Sequence, residues 1–427
     1  MSAEPSVRGA DAATYLLIDR EVARVEPLLH ELAADLHADP ETGFEEHRSV
    51  RRIAGLLRAE GHAVRTGTFD LPTSFVAGTG TGRPHFALLA EYDSLPGLGH
   101  ACGHNVIAAI SVGAYLAAAP VVERLGGRLS LIGTPAEEGG GGKELIRRRG
   151  GFADVDAAML VHPEDNDTIY SATSGLRQVR VVYRGRPAHA AGSPHKGINA
   201  LDAIVTAYQS LAQLRQHITR TQSVHGIITK GGDTANVVPS LTEGVFLVRA
   251  ADLAALGELS TRVEAIFQAA ATATGCEVAL DWSERIPYLP LNVNETLGDR
   301  YGAHLERLGY PIPPQPRALR STPPSSDVGN ISYEVATVQP TIAIAPPGVA
   351  NHTAEFAEYS VGAMARRAVA VAAAALAGTV ADFLASPGLR AAVGAELATA
   401  ASPVPGLAGP GDAPGPAAPH DSGDPHA

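Results

Sequence analysis

The sequence predicts an α/β fold in which a mixed sheet with flanking helices is interrupted by an inserted α+β unit of the ferredoxin-like kind. Up to about residue 175, short apolar runs alternate with helical patterns, as in open sheets with crossover helices. From residue 176 the predicted order becomes β-α-β-β-α-β over about 110 residues, which is the split βαβ arrangement. The first pattern, short apolar runs alternating with helices, then returns. We therefore expect the ferredoxin-like unit to be inserted into the main domain.

The first part of the main domain is predicted to span 13–175. Apolar residues at helical spacing predict its helices, and continuous apolar runs predict its buried strands. In chain order the predicted elements are a helix over 13–36, a helix near 50–60, strands near 62–67, at 73–78 and at 85–90, a helix over 105–119, a strand at 128–133, a helix near 142–149 and a strand at 156–161.

The inserted unit is predicted to span 176–286, and the main domain to resume over 287–401. The inserted elements are a strand at 176–183, a helix over 199–216, strands near 222–229 and 242–250, a helix over 253–274 and a strand at 276–282. The resumed domain has a helix at 296–308, an apolar run at 341–345 and a helix over 361–384. Residues 402–427 carry too little apolar surface to fold, which predicts a disordered tail.

The composition argues against several classes of function. With 33 basic and 45 acidic residues the formal net charge is −12, which argues against a nucleic-acid partner, since such binding relies on clustered lysine and arginine. No window approaches the run of about 20 apolar residues that spans a bilayer, so we expect no membrane association. Two cysteines are too few for a disulfide framework, and no apolar signal core follows Met1. We therefore expect a cytoplasmic protein.

A short stretch after the strand at 85–90 brings two metal-ligating side chains close together. A turn rich in proline and glycine leads to Cys102 and His104, which flank a single glycine. A thiolate and an imidazole at this spacing form half of a metal site, although such a pair also occurs by chance. Asp93, near the end of the same strand, is a suitable hydrogen-bond acceptor for a ligating imidazole.

Four further candidate side chains follow other apolar runs. Glu137 and Glu138 follow one predicted strand, His162 follows the next, and His352 follows the last apolar run. If the two carboxylates are buried side by side, they repel each other unless a cation lies between them or one is protonated. If they are exposed to water, the pair needs neither a cation nor a proton. Each histidine alone also fits a structural role. Together, one cysteine, two carboxylates and three histidines exceed the needs of one tetrahedral ion and leave a carboxylate for proton transfer, which predicts a two-metal hydrolase.

Other sites with related residue patterns do not fit this sequence. Four glycines before Lys143 are similar to a phosphate-binding loop, but Glu137 and Glu144 stand where that loop needs glycine and a hydroxyl residue. The Pro-Cys-X-X-Cys motif of base deaminases is absent, as is the Gly-X-Ser-X-Gly nucleophile elbow.

Six motifs together resemble those of the di-metal aminoacylase and carboxypeptidase-G family of metallopeptidases, peptidase family M20, and within it the amidohydrolase branch. The motifs are EYDSLPGLGHACGHN, GTPAEEGGGGKELI, RPAHAAGSPHKGINALDA, VHGIITKGGDTANVVPS, SSDVGNISY and NHTAEF. They occur in the family's order over about residues 15–385 and are most similar to its dipeptidases that act on basic dipeptides.

The resemblance implies a role for each candidate residue. Two divalent ions, zinc or manganese, are implied to bind five side chains: Cys102, His104, Glu138, His162 and His352. Glu137 is implied to be the general base. His189 is implied to polarise the scissile carbonyl and Asn236 to contact the substrate, usually across a dimer, which makes the inserted unit a lid and dimerisation domain. We therefore expect a small substrate, a dipeptide or N-acyl amino acid, and a homodimer formed through 176–286.

The sequence departs from the family pattern at two positions. Glu91 stands where most members have a ligating histidine, and the Cys-X-His pair takes over that role in the amidohydrolase branch. Asn105 replaces the aspartate that usually follows this pair. Two functional hypotheses follow. One is a metal-dependent amidohydrolase or dipeptidase in which a metal-activated water attacks the amide, and the alternative is a binding or regulatory subunit of a hetero-oligomeric amidohydrolase.

Overall fold

Strands alternate with helices through the first part of the chain in the computed structural model, which describes residues 9–312 and 322–399. This part contains α1 (Ala12–Ala38), α2 (His47–Ala59), β1 (Val64–Thr66), β2 (Phe75–Thr81), β3 (His85–Ala90), α3 (His104–Leu125), β4 (Gly127–Gly133), α4 (Gly142–Arg148), β5 (Ala157–Met159) and β6 (His162–Glu164).

The remaining elements follow in two groups. The inserted part contains β7 (Gly175–Arg184), α5 (Ala200–Leu214), β8 (Gln222–Lys230), β9 (Leu241–Ala250), α6 (Leu253–Thr274) and β10 (Glu277–Asp281). The last part contains α7 (Glu295–Arg307), α8 (Val328–Ile331), β11 (Ala336–Val338), β12 (Thr341–Ala343), α9 (Ala354–Tyr359), α10 (Ala363–Ala385) and α11 (Pro387–Ala398). Short 3-10 helices lie at Thr68–Asp70, Pro194–Lys196 and Arg215–His217.

The main sheet is mixed and has the order β1-β2-β4-β3-β5-β11. Strand β3 lies inside the sheet, parallel to β4 on one side and to β5 on the other, while β2 runs antiparallel to both β1 and β4. Every residue of β3 is buried, which explains why its sequence is a continuous apolar run rather than an alternating one. The parallel strands end at the same edge of the sheet, and the candidate metal ligands lie beyond that edge.

Helix α3 lies in the core, against the sheet and between α1 and α10. A Cβ atom on Gly113 would lie 2.5 Å from Cδ1 of Leu29 and 3.1 Å from Cβ of Ala373, so the close approach of the three helices favours glycine there. Deep burial of α3 and α10 removes apolar surface from water, which is the main force that holds the layers together.

Helices α3 and α10 are also long and apolar enough, by length and composition, to cross a membrane, with mean hydropathies of 1.8 and 1.9. The sequence-based expectation that no segment approaches this composition is therefore wrong. Burial explains the composition, since 94% and 83% of the two apolar windows are covered by the rest of the fold. Both are core helices, whose apolar residues face neighbouring elements on nearly all sides.

The inserted part forms an antiparallel sheet with the order β10-β7-β9-β8, and α5 and α6 pack against it. Counted along the inserted part alone, this strand order is 4-1-3-2, as in the ferredoxin-like arrangement. Its core is separate from that of the main sheet and includes Phe246 and Phe267. The predicted fold class, a mixed-sheet domain with an inserted ferredoxin-like unit, is confirmed.

Asp382 in α10 ties the last part of the chain to the first. Its carboxylate accepts hydrogen bonds from the backbone N–H of Ala10 at 2.7 Å and from the Tyr15 hydroxyl at 2.6 Å. Arg300 and His304 of α7 contact the same carboxylate at 2.5 and 3.0 Å. Burial disfavours the charge, but these partners hold the pKa of Asp382 down at about 2.

Some elements differ from the prediction. The apolar run at 156–161 ends as β5, and the next residues form β6, which pairs with β12 in a separate two-stranded sheet. The helix predicted over 361–384 begins after a break at Gly362, because α9 ends just before it. Helix α11 was not predicted; Ser386 caps its start and Pro387 is its first residue, which is a common helix N-terminus. The tail predicted for 402–427 lies outside the described residues.

Candidate metal centre and active site

His104 is the first residue of α3 and is fully buried. Gly103 before it has a φ of 77°, and a Cβ atom there would lie 2.5 Å from Cγ of Pro163, so this turn requires glycine. Nδ1 of His104 lies 2.9 Å from Oδ1 of Asp93, and because a carboxylate only accepts, Nδ1 donates. Nε2 is then the ring nitrogen that faces the site, and it has no hydrogen-bond partner among the described residues.

Ligand atoms of the predicted metal-binding residues converge in overlapping groups, each within 4.8 Å. The three groups are Cys102 with His104 and His162, Cys102 with Glu138 and His352, and Glu91 with His104 and Glu137. The first two groups together contain all five side chains that the resemblance assigns as ligands. Because Cys102 belongs to both, its sulfur lies between two potential cation positions.

These residues fit divalent cations on their own chemistry. Burial raises the pKa of the Cys102 thiol well above its usual value, so a thiolate here needs a cation beside it. Nε2 of His104 is buried without a hydrogen-bond partner among the described residues, at a cost of about 1–3 kcal/mol for such a group, and Oε1 of Glu138 has Nε2 of His352 only at 3.4 Å. A cation bound between thiolate, imidazole and carboxylate would satisfy all three kinds of atom.

His162 is held in the form that a metal ligand requires. Its Nδ1 lies 2.8 Å from the carbonyl oxygen of Pro163, so Nδ1 carries the proton and donates it. The other ring nitrogen, Nε2, lies 3.6 Å from Sγ of Cys102. Burial lowers the pKa of His162 to about 4, which keeps the ring neutral and its lone pair available.

His352 reaches the site from a loop rather than from a strand end, where the sequence analysis placed it. It lies well beyond the end of β12 and adopts a φ of 60°, which is rare for a residue with a side chain. Its backbone N–H donates to the carbonyl of Ala101 at 2.8 Å, which fixes the loop beside the Cys-X-His turn. Nε2 of His352 lies 3.4 Å from Oε1 of Glu138, and the side chain is half exposed.

The loop that carries Glu137 and Glu138 is held by two buried carboxylates from other elements. Ala136 adopts a φ of 57°, and its N–H donates to Oε1 of the fully buried Glu46 at 2.8 Å. The N–H of Glu138 donates to Oδ2 of Asp93 at 2.9 Å. Asp93 thus orients both His104 and this loop. Sequence reasoning missed Glu46, because nothing in its local pattern links it to residue 136.

Glu137 belongs to the third ligand group but is not one of the five side chains that the resemblance assigns as ligands. Its side chain is 8% exposed, and Oε2 lies 3.8 Å from Nε2 of His104. Burial, together with the charges of Glu91, Glu138 and Asp327, raises the pKa of Glu137 well above its usual value. A carboxylate with a raised pKa next to a cation site can accept a proton from water and release it again.

A buried ion network, missed by the sequence analysis, lies behind the site. The ammonium of Lys143 is 2.6 Å from Oε1 of Glu91 and 2.5 Å from Oδ1 of Asp327, and all three side chains are fully buried. Lys143 follows the glycine run that is similar to a phosphate loop, but its role is structural pairing instead. Asn105, the other departure from the family pattern, donates to two backbone carbonyls.

A cavity of about 520 Å³ opens onto Cys102, Glu137 and Glu138 and extends to the inserted unit. Arg249 and Arg285 line its inserted-unit side, and no carboxylate of the described residues forms an ion pair with either. Arg249 donates to the Ser325 hydroxyl at 2.8 Å, and the guanidinium of Arg285 lies 5.5 Å from the ring centre of Tyr288. Burial and the charge of Arg285 lower the pKa of Arg249.

His189 and Asn236 are not brought to the metal centre within one chain. Both are exposed and lie next to each other on the inserted unit, where the N–H of Ala190 donates to the carbonyl of Asn236. Nδ1 of His189 accepts backbone N–H groups from Ala191 and Gly192 at 3.2 and 3.0 Å. In the neutral ring the proton is therefore on Nε2, and this Nε2–H donor faces away from the loop.

Comparison with known proteins identifies relatives along almost the whole chain. The family model described as the peptidase dimerisation domain matches residues 171–274. A Xaa-Arg dipeptidase from Mus musculus is 35% identical over 92% of this chain and 95% of its own length. A Xaa-Arg dipeptidase from Homo sapiens is 34% identical over 84% of this chain and 86% of its own length.

Solved structures share the fold at lower identity. A putative aminohydrolase from methicillin-resistant Staphylococcus aureus matches with a TM-score of 0.73 at 19% identity, covering 86% of this chain and 99% of its own. The Bacillus subtilis YXEP protein, described as a dinuclear metal-binding peptidase of the M20 family, matches with a TM-score of 0.67 at 19% identity, covering 85% and 99%.

The relatives that span most of the chain are named as enzymes, so the alternative of a binding or regulatory role is not favoured. Their identity and coverage, together with the three ligand groups, assign the family. The chain belongs to the M20 family of metallopeptidases and is a metal-dependent hydrolase of its dipeptidase and amidohydrolase group.

Proposed function

We propose that this protein is a dipeptidase that cleaves the amide bond before a basic C-terminal residue, using two divalent cations and Glu137 as the general base. The observation that carries the proposal is a buried carboxylate, Glu137, left over beside a complete ligand set and exposed to a cavity. The similarity to Xaa-Arg dipeptidases over nearly the full length supports the choice of a basic residue.

Five side chains would hold the cations: Cys102, His104, Glu138, His162 and His352. Bound there, the cations supply Lewis acidity toward the scissile carbonyl and lower the pKa of a coordinated water. A thiolate ligand suits zinc, whereas the imidazole and carboxylate ligands suit manganese as well. Both cysteines of the chain are free thiols, which suits the reducing cytoplasm as its location.

Glu137 moves the proton in this mechanism. Its carboxylate accepts a proton from the attacking water and passes it to the nitrogen of the leaving amino acid. Burial and neighbouring carboxylates raise its pKa, so the proton is held long enough to be delivered. The Tyr288 hydroxyl donates to the backbone carbonyl of Glu137 at 2.7 Å, which keeps the base in place during both transfers.

Arg249 and Arg285 would bind the free carboxylate at the C-terminus of the dipeptide. Both guanidinium groups line the cavity, and among the described residues they have no carboxylate of their own. Guanidinium groups bind carboxylates through paired, charge-assisted hydrogen bonds, which gives the substrate a fixed orientation. A free C-terminal carboxylate on this side directs the scissile amide toward Glu137.

A homodimer formed through the inserted unit would complete the site. His189 and Asn236 are exposed and away from the cavity in one chain, yet the tautomer of His189 leaves Nε2–H free to donate to a developing oxyanion. The inserted unit matches a dimerisation domain. Its edge strand β8 exposes Ile227 and Ile228 at 65% and 37%, which are apolar surfaces suited to a second copy of the chain.

Replacing Glu137 with glutamine tests the proposal. The variant keeps the size of the side chain, so we expect unchanged metal content and a kcat lower by about 100-fold or more, as for the loss of a general base. Glu123→Gln, an exposed carboxylate on α3 outside the cavity, is the matched control. Turnover of Glu137→Gln close to that of the wild-type protein would rule out Glu137 as the base.

A further inference from the structure

We propose that Glu164 is a specificity-determining residue that binds a positively charged nitrogen of the substrate, either the α-ammonium group or the basic side chain. The inference rests on the proposed dipeptidase function and assigns a role to a carboxylate that the mechanism above does not use. It concerns recognition of the substrate, because Glu164 belongs to none of the three ligand groups.

The position of Glu164 is the first observation. It is the last residue of β6, two residues after His162, and its side chain lines the same cavity as Glu137 and Glu138. The side chain is 20% exposed, so its carboxylate is largely withdrawn from bulk water while still facing the cavity. A carboxylate in such a place can contact a bound ligand directly.

The lack of a cationic partner from the protein is the second observation. Among the described residues, no lysine or arginine forms an ion pair with Glu164. Oε1 accepts a hydrogen bond from Nδ2 of Asn351 at 3.2 Å, and Nδ1 of His162 lies 3.9 Å away but donates its proton to Pro163. Withdrawing a charge from water without an opposite charge costs free energy, which a cationic ligand would offset.

The distribution of charge around the cavity is the third observation. Arg249 and Arg285 lie on the inserted-unit side, whereas Glu164 lies on the side of the main domain. A cationic nitrogen is repelled by the two arginines and attracted by Glu164, and a carboxylate experiences the reverse. The cavity is therefore complementary to a molecule with charges of both signs, and its field orients that molecule before chemistry occurs.

The experiment compares Glu164→Gln with the wild-type protein on four substrates built on one scaffold. They are Ala-Arg, Ala-citrulline, N-acetyl-Ala-Arg and N-acetyl-Ala-citrulline, in which each cationic nitrogen is removed separately and then both together. Glutamine keeps the acceptor for Asn351, so the loop beside it is preserved. The measured quantity is kcat/KM, or the inhibition constant for a compound that is cleaved too slowly.

We expect Glu164→Gln to lower kcat/KM by about 10- to 100-fold for a substrate that carries the recognised cation, as for the loss of a charge-assisted hydrogen bond. If Glu164 binds the basic side chain, the loss in kcat/KM should be absent for the two citrulline compounds. If it binds the α-ammonium group, the loss should be absent for the two N-acetyl compounds. Either pattern supports the proposal. The matched control is Asp165→Asn, which removes the same charge one residue away, outside the cavity lining.

An equal loss on all four compounds, or no loss on any, would overturn the role of Glu164, because neither result depends on the charge of the substrate. Metal content should be unchanged in Glu164→Gln, which separates recognition from an effect transmitted through His162. Failure of the metal-loaded wild-type protein to cleave any of the four would instead refute the dipeptidase function, and the inference with it.

Discussion

Replacing Lys143 with methionine should destabilise the protein strongly, because it leaves two buried carboxylates without their cation. The ammonium group lies 2.6 Å from Glu91 and 2.5 Å from Asp327, and none of the three side chains is exposed. Breaking a buried ion pair by removing one partner costs about 3–5 kcal/mol, and here one substitution removes the partner of two carboxylates. We therefore expect the free energy of unfolding to fall by about 5 kcal/mol.

The loss should depend on pH with a definite sign. Burial opposes ionisation of Glu91, and in the wild-type protein Lys143 holds the pKa of Glu91 below its usual value. Without the ammonium, the folded-state pKa of Glu91 rises above its unfolded value, and the pKa of Asp327, which burial already raises to about 6, rises further. The folded variant then binds more protons than the unfolded chain, so its stability falls as pH rises. The difference in the free energy of unfolding between the variant and the wild-type protein should therefore shrink as pH falls from about 7 to about 5.

Urea unfolding followed by far-ultraviolet circular dichroism is the suitable assay. The only tryptophan, Trp282, lies on the inserted unit, so its fluorescence does not report on the domain that holds Lys143. Removing the two carboxylates as well, as Glu91→Gln and Asp327→Asn, should recover most of the loss.

An exposed pair provides the control for the Lys143 variant. Arg83 lies 2.8 Å from Asp156 and is 65% exposed, so Arg83→Met should change the free energy of unfolding by less than about 1 kcal/mol. A loss below about 1 kcal/mol for Lys143→Met would contradict the reasoning, since two buried carboxylates cannot remain charged and unpaired at so small a cost.

Three further predictions address the active site and its assembly. Cys102→Ser should lower metal content after dialysis far more than it lowers the unfolding temperature, because a hydroxyl is a poor ligand at neutral pH. Mixing Glu137→Gln chains with His189→Ala chains should restore up to about a quarter of active sites if His189 acts across a dimer. Glu46→Ala should reduce activity or metal affinity by about 10- to 100-fold, and Ala136→Gly should partly restore it, because glycine adopts the left-handed conformation unaided.

Each of the three has an outcome that contradicts it. Full retention of both metal ions by Cys102→Ser would leave Glu91 as the better ligand, since it belongs to the third ligand group whereas both oxygens of Asp93 already accept hydrogen bonds. Absence of activity in confirmed mixed dimers would show that His189 acts within its own chain. Glu46→Gln, which keeps an acceptor oxygen, should stay close to wild type, and an equal loss in both Glu46 variants would show that its charge matters instead.

The parts of the structure that sequence predicts well are those that local spacing determines. The Cys-X-His pair lies on one tight turn, and Asp93 precedes it closely, so the contact between Asp93 and His104 depends on a short stretch of chain. Strand β3 has its predicted bounds, because a central parallel strand is apolar throughout. The βαββαβ order of the inserted unit is also predicted correctly, because apolar residues alternate in its strands and recur at helical spacing in its helices.

The parts that sequence does not predict depend on contacts between distant segments. Lys143 and Asp327 are 184 residues apart, and no local pattern indicates that their side chains pair. Glu46 reaches the backbone of Ala136 from 90 residues away. The apolar runs before His352 suggest a strand end, but the left-handed turn that carries this residue has no clear sequence signal.

The packing of α10 against α3 has a consequence for the order in which the chain folds during synthesis. The inserted unit closes its sheet within one continuous stretch, β7 to β10, and can fold as soon as that stretch leaves the ribosome. The main domain cannot, because α3 is covered by α1 on one side only until α10 has been made. The apolar helix α3 is thus exposed on one side while more than half of the chain is being translated, until α10 is made. We expect the nascent chain to bind chaperones during this time.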